Sequence, residues 1–239
     1  MRQIYSNYTN DDLTVWKLLF DRQKKNLANK ASYKYNNCLK KLNLYLNADT
    51  IPNFKKLNEY FKRTTKWEIV AVRGLIPVAE FFDNISKKKF PASTWVRSKK
   101  KLDYLEEPDM FHDIFGHIPL LIDENFSNFT HKLGKLGKKY IDNEKILIQL
   151  QRIYWFTIEF GLIREEDKKC IYGSGIASSF GETNHIFKKN ILIEQFNIFK
   201  IIKTKFNTSE IQEKYYMIDS YKDLEKGIIE FEKNISMII

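Results

Sequence analysis

Cysteine, glycine, proline and histidine are all scarce in this chain, and each shortage excludes a class. Only two of the 239 residues are cysteine, Cys38 and Cys170. Two cannot make a disulfide framework, so a reducing, cytoplasmic setting is expected. The opening Met1-Arg-Gln-Ile-Tyr-Ser-Asn7 has no apolar signal region. No run reaches the roughly 18–20 apolar residues of a membrane span, so no membrane partner is expected. Nine glycines and five prolines form no linker, repeat or low-complexity segment. Of only four histidines, His131 and His185 sit among polar residues, while His112 and His117 stand close together.

What is abundant points to a packed, mainly helical protein. Apolar residues make up 43% and aromatics 15%, enough for a large core and against disorder. The net charge of +10 comes from short lysine clusters spread along the chain, such as Lys87-Lys-Lys89 and Lys99-Lys-Lys101. No Cys/His finger, RNP-like motif or basic helix accompanies them, so the reading is a solvated surface and no nucleic-acid partner. Thr9-Asn10-Asp11-Asp12 caps a first helix, and further helices are expected from about Ser32 and from Pro52. Trp67 to Val72 reads as a strand, Ala79 to Lys87 as a helix, and Ser93 to Arg97 as a strand or extended piece. Asp123 to Lys139 reads as a helix interrupted by Gly134 and Gly137. A long buried helix is expected from Asn143 or Glu144 to Leu162. After it come a charged turn, a strand from Cys170, a helix from Ser178, a strand over Lys214–Ile218 and a helix from Tyr221.

The chemistry concentrates in Glu106-Glu-Pro-Asp-Met-Phe-His-Asp-Ile-Phe-Gly-His-Ile-Pro-Leu-Leu121. Pro108 suits a first helical turn and Asp109 the positive end of its dipole. Pro119 disfavours helical geometry at Ile118, and Gly116 loosens the turn before it, so the helix is expected to give out at His117. Residues five apart diverge by about 140° on an ideal α-helix. A frayed or bulged end would bring the two rings to one point. Two imidazoles among Phe111, Ile114, Phe115, Ile118 and Leu120 suggest a metal, although core histidines bonded to backbone carbonyls are the plainer alternative.

A third ligand is sought in Ile153-Tyr-Trp-Phe-Thr-Ile-Glu-Phe-Gly-Leu162, where Glu159 is the sole charge. An ionised carboxylate in an all-apolar helix is costly unless paired or metal-bound. Two imidazoles and one carboxylate are the facial set of non-haem Fe(II) oxygenases. They also serve catalytic zinc. Zinc proteases space their histidines by four and place a Glu after the first. Here the spacing is five and the neighbour is Asp113, which favours iron.

Taken in order, Glu-Pro-Asp-x-x-His-Asp-x-x-Gly-His-x-Pro-Leu-Leu, Ile153–Leu162 and Tyr172-Gly-Ser-Gly-Ile-Ala-Ser-Ser-Phe-Gly-Glu182 resemble the aromatic amino acid hydroxylases. The likeness runs from about Asn10 to about Tyr221 and is strongest to the short bacterial phenylalanine 4-monooxygenases. It implies a mainly α fold with a few short strands and one catalytic domain over 1–239, without regulatory or oligomerisation domains, acting as a monomer. It implies Fe(II) on His112, His117 and Glu159. By the same resemblance Arg97, fifteen positions before His112, clamps the substrate carboxylate with help from Asp109. Trp155 walls the ring pocket, and Ser178 and Ser179 form the loop beside it. Gly74, Leu75, Ile76 and Phe81 (or Phe82, one residue on), with Asp113 and Tyr154, fall at the positions of tetrahydrobiopterin or a related tetrahydropterin.

The resemblance thus implies hydroxylation of L-phenylalanine to L-tyrosine with O₂ and a tetrahydropterin. A tryptophan hydroxylase of the same fold, a zinc hydrolase and a basic nucleic-acid-binding module are the alternatives. Two departures stand out. Bacterial relatives read Gln-Pro-Leu-Tyr where this chain has Gln212-Glu-Lys-Tyr215, which bears on the packing of the last strand. Leu105 replaces a common threonine four before Asp109, which removes one expected substrate hydrogen bond.

Overall fold

Local signals start most of the helices. Thr9 and Asp12 form a reciprocal cap at the head of α1 (Asn10–Leu27). Ser32 caps α2 (Tyr33–Lys41) and Asn53 caps α3 (Phe54–Arg63), each accepting a backbone N–H through its side chain. The computed structural model describes residues 1–103 and 107–238, with side chains through 235. Among the described residues no helix is long and apolar enough to cross a membrane.

Strand β1 (Glu68–Val72) leads through α4 (Val78–Ser86) to β2 (Lys89–Ser93), which pairs parallel to β1. The second strand therefore lies earlier than expected and includes Pro91. A sheet of two strands has only edges, where a residue without an N–H is tolerated. Beyond Ser93 the chain is irregular as far as Ser98. A π-helical segment (Phe111–His117) then runs directly into α5 (Ile118–Leu121).

The helix thus does not give out at His117; it widens and continues, with Ile118 in ordinary helical geometry. Pro119 is absorbed because the carbonyl it would have served has another partner. In α-helical register the Phe115 C=O would accept from residue 119, which has no N–H. Instead the Tyr35 hydroxyl from α2 donates to it at 2.6 Å. Gly116 does not loosen this turn. A Cβ there would lie 2.8 Å from the Ser174 carbonyl oxygen, so the missing side chain lets a neighbouring helix approach.

Helix α6 (Glu124–Lys139) is also uninterrupted, contrary to the sequence reading. Its two interior glycines face α4. A Cβ on Gly134 would sit 2.6 Å from the Ser86 backbone nitrogen, and one on Gly137 would overlap the Phe82 ring. Helix α7 (Glu144–Tyr154) passes into a second π-helical segment, Trp155–Glu159, and stops three residues short of the expected end. Phe160 leaves helical geometry, and Gly161 onward is claimed by the sheet.

That sheet has the order β4-β3-β6-β5. β3 (Gly161–Glu165) and β4 (Lys168–Ile171) form a hairpin whose two turn residues, Glu166 and Asp167, both have positive φ. Helices α8 (Ser174–Ser178) and α9 (Phe180–His185) follow, the second capped by Ser179. β5 (Leu192–Gln195) and α10 (Ile198–Ile201) were not foreseen; each is only four residues long, too short to show a period. β6 (Lys214–Ile218) pairs parallel with both β3 and β5, and α11 (Tyr221–Ile238) closes the chain.

The core is wrapped around the histidine segment. Phe111 and Phe115 stack at 4.7 Å, and α1 presses Trp16 and Phe20 edge-on against them at 5.7 and 5.2 Å. Gly137→Ala should destabilise the protein by about 1–3 kcal/mol through overpacking. Helix propensity alone would predict a gain approaching about 1 kcal/mol. Urea unfolding reads the sign directly.

Candidate active site

The widened turns decide where the histidines point. In an i→i+5 helix more residues complete each turn, so side chains five apart come close to one line. His112 and His117 Nε2 atoms stand 3.2 Å apart, with the two rings nearly perpendicular. The second π-helical segment, closed by the Phe160 N–H donating to the Trp155 carbonyl, brings in Glu159. Its carboxylate lies 3.0 Å from His117 Nε2 and 3.7 Å from His112 Nε2. Ligand atoms of all three residues lie within 4.8 Å of one another.

The surroundings set the state of His112 and Glu159. The Ser178 hydroxyl donates to the Ser174 carbonyl at 2.8 Å, so its oxygen is free to accept from His112 Nδ1–H at 2.9 Å. That leaves the Nε2 lone pair aimed at the other two groups. Burial pushes His112 down to about 4, which keeps the imidazole neutral, the form that ligates. Burial alone would push the Glu159 carboxyl up. The combined pull of His117, His112 and the Ser174 hydroxyl wins and brings it to about 2. Two imidazoles and a carboxylate thus face one point, a set that suits a divalent cation and fits Fe(II) with positions left open.

These residues lie at a cavity of about 350 Å³. Gly74, Leu75, Ile76, Phe81, Asp113, Tyr154 and Trp155 line it, and so does Phe82. Phe81 meets the Tyr154 ring edge-on at 5.0 Å, and Tyr154 lies roughly parallel to His117. A slot of rings beside the irregular segment 74–76 suits a flat heterocycle such as a pterin. Asp113 accepts the Ser93 N–H at 2.7 Å, and burial raises its carboxyl to about 7. Burial and the nearby Glu159 push the Tyr154 hydroxyl well up.

Arg97, Asp109, Ser178 and Ser179 do not line this cavity. Arg97 grips Asp109 with Nε and Nη2 at 2.9 and 2.8 Å, and its backbone N–H donates to the same carboxylate. Asp109 also caps the π-helical segment by accepting the His112 N–H at 3.1 Å. Capping and ion pairing thus coexist in one residue. Ser178 stands behind His112, and Ser179 caps α9. Leu105 lies outside the described residues.

Several supporting residues escaped the sequence reading. The single Ser174 O–H is shared between the Glu159 carboxylate at 3.1 Å and the Ile158 carbonyl at 2.9 Å. Gln23 reaches from α1 to the Ala177 carbonyl and the Thr183 hydroxyl, both at 2.7 Å, bracing the turn that holds Ser178. Gln23 occupies an inward position of α1, and a polar residue on an apolar helix face was the available signal. Phe206 and Thr208 also line the cavity, from a loop with no periodicity to betray them.

Known proteins share this arrangement of elements. The family described as biopterin-dependent aromatic amino acid hydroxylase matches residues 3–238. The phenylalanine-4-hydroxylase of Ralstonia nicotianae is 39% identical over 94% of this chain and 71% of its own length. A structure of Chromobacterium violaceum phenylalanine hydroxylase has bound iron(III) and the oxidised cofactor 7,8-dihydrobiopterin. It matches with a TM-score of 0.91 at 36% identity, over 99% of this chain and 86% of that one. The apo structure of the cold active phenylalanine hydroxylase from Colwellia psychrerythraea gives 0.90 at 36% identity, covering 97% and 89%. With a family match spanning all but the first two residues and the last, and the same mainly helical fold in solved relatives, the chain belongs to the biopterin-dependent aromatic amino acid hydroxylases.

Proposed function

We propose that this chain is a tetrahydropterin-dependent, non-haem iron monooxygenase that converts L-phenylalanine to L-tyrosine with O₂. One observation carries the reading: two imidazoles and a carboxylate converge within 4.8 Å at the wall of a cavity dressed with aromatic rings. Relatives named phenylalanine-4-hydroxylase favour phenylalanine over tryptophan as the substrate. The reading includes one catalytic domain working as a cytoplasmic monomer, in keeping with two free cysteines, Cys38 and Cys170.

His112, His117 and Glu159 would hold Fe(II) on one face, and Gly74–Ile76, Phe81, Asp113 and Tyr154 would hold the pterin. Bound together, iron and tetrahydropterin supply the two electrons and the oxygen activation that no amino-acid side chain can provide. The protein supplies position and dryness. Arg97, whose Nε and Nη2 are held by Asp109, would meet an amino acid's carboxylate with the Nη1/Nη2 edge of its guanidinium fork. Asp109 holds that fork in place and at the same time caps the turn of His112, so substrate clamp and metal ligand are tied to one buried carboxylate. Trp155 walls the space for the side chain. Ser178 keeps His112 turned toward the metal, and Ser174 does the same for Glu159.

Tyrosine formation by the iron-loaded protein from L-phenylalanine, a tetrahydropterin and O₂ is the direct test. His112→Ala or Glu159→Ala should lose both iron retention and tyrosine formation while keeping the wild-type circular dichroism. Full activity in either would refute the triad. Ser178→Ala removes the partner of Nδ1, along with the hydroxyl's bond to the Ser174 carbonyl, and should weaken iron binding by about 10–100-fold. Titration with Fe(II) under anaerobic conditions measures it, and an unchanged affinity would make the Ser178 contact incidental.

A further inference from the structure

One cavity wall is an irregular loop, packed on Trp155 and Phe156 through Phe206 and spanned by the amide of one side chain. Between α10 and β6 the chain carries Phe206 and Thr208 to the cavity without strand or helix pairing. The Gln212 side chain, 6% exposed, spans this loop. Its Nε2 donates to the Asn207 and Glu210 carbonyls at 2.7 and 2.8 Å. Its Oε1 accepts from Trp155 Nε1–H at 2.9 Å. Its backbone N–H donates to one oxygen of the buried Glu182 at 2.9 Å, while the Tyr215 hydroxyl donates to the other at 2.6 Å.

Only a carboxamide can accept at one end and donate twice at the other. Glutamate would keep the contact with Trp155 but turn an oxygen toward two carbonyls. Trp155 in turn stacks on Phe206 at 4.5 Å and 16°, so loop and indole move as one body. It stands four residues before Glu159 in the same π-helical segment. The network reaches the cavity wall and the start of the ligand-bearing segment through one side chain.

We infer that Gln212 is a positioning residue that sets the aromatic wall of Trp155 and Phe206 relative to the metal-binding triad, and so determines how tightly oxygen activation is coupled to ring hydroxylation. This rests on the hydroxylase reading above. A wall that drifts lets the substrate ring leave its reactive position while the pterin is still oxidised. Small misplacements of this kind cost up to about 10²-fold in productive rate. A purely structural role would instead lower the amount of folded enzyme and leave the properties of each folded molecule unchanged.

The experiment compares wild-type holoenzyme with Gln212→Met, Gln212→Glu and Trp155→Phe, the last keeping a ring but deleting the N–H. Tyrosine formed per tetrahydropterin consumed is independent of the folded fraction. It should fall at least about twofold in Gln212→Met and Trp155→Phe, with KM for phenylalanine raised by about tenfold. Gln212→Glu should fall as well, because the loop end of the latch is lost. Tryptophan should gain on phenylalanine in kcat/KM as the wall loosens. Unchanged coupling and KM in Gln212→Met, with only a lower melting temperature, would overturn the inference. If that variant does not fold, unchanged coupling in both Gln212→Glu and Trp155→Phe overturns it equally. No tyrosine from the wild-type protein would instead defeat the hydroxylase reading.

Discussion

Everything at this site depends on two turns that are one residue too wide. A regular α-helix would send His112 and His117 to different sides and leave no common point for a cation. The i→i+5 geometry over Phe111–His117 and again over Trp155–Glu159 brings three side chains from two segments together. Wide turns pack poorly along their own axis and are rare, so the surrounding structure must hold them. Here Phe111 and Phe115 are clamped by aromatic rings from α1, and the Phe115 carbonyl by a hydroxyl from α2.

A second principle is that polar groups near the metal site are buried in saturated chains rather than left as isolated charges. Arg97 and Asp109 share two hydrogen bonds and a backbone contact, and Asp109 reaches on to the His112 turn. Ser174 links Glu159 to the Ile158 carbonyl, and its own carbonyl receives the Ser178 hydroxyl that orients His112. Arg97, Asp109, Ser174 and Ser178 are each bonded within these chains, which is the condition for a polar cluster to stiffen a core instead of weakening it. The pieces of the site are therefore coupled in pairs, and a substitution in one is felt by its neighbour.

Much of this was legible in the sequence because caps and periodicity speak locally. Thr9 and Ser32 announce two helices and Pro52 a third, whose cap is its neighbour Asn53, and the strand over Lys214–Ile218 was found to the residue. The two histidines and Glu159 stood out as rare polar residues in apolar company. What stayed hidden was long-range. Gly134 and Gly137 look like breakers until α4 is seen lying on them. Pro119 looks like a stop until Tyr35 takes over the orphaned carbonyl. The Gln212-Glu-Lys-Tyr215 departure also resolves in this way. Gln212 and Tyr215, shared with the bacterial pattern, are the two that point inward, while Glu213 is exposed and Lys214 pairs with Glu194.

The reach of Gln23 from α1 to the Ala177 carbonyl has a consequence for how the protein is made. These residues lie 154 positions apart. The brace behind His112 cannot close until the first helix and the α8–α9 turn are both out of the ribosome and docked. Contacts so distant in sequence form late and slowly. A nascent chain exposes its two histidines well before their support exists, so tight iron capture belongs to the final stage of folding.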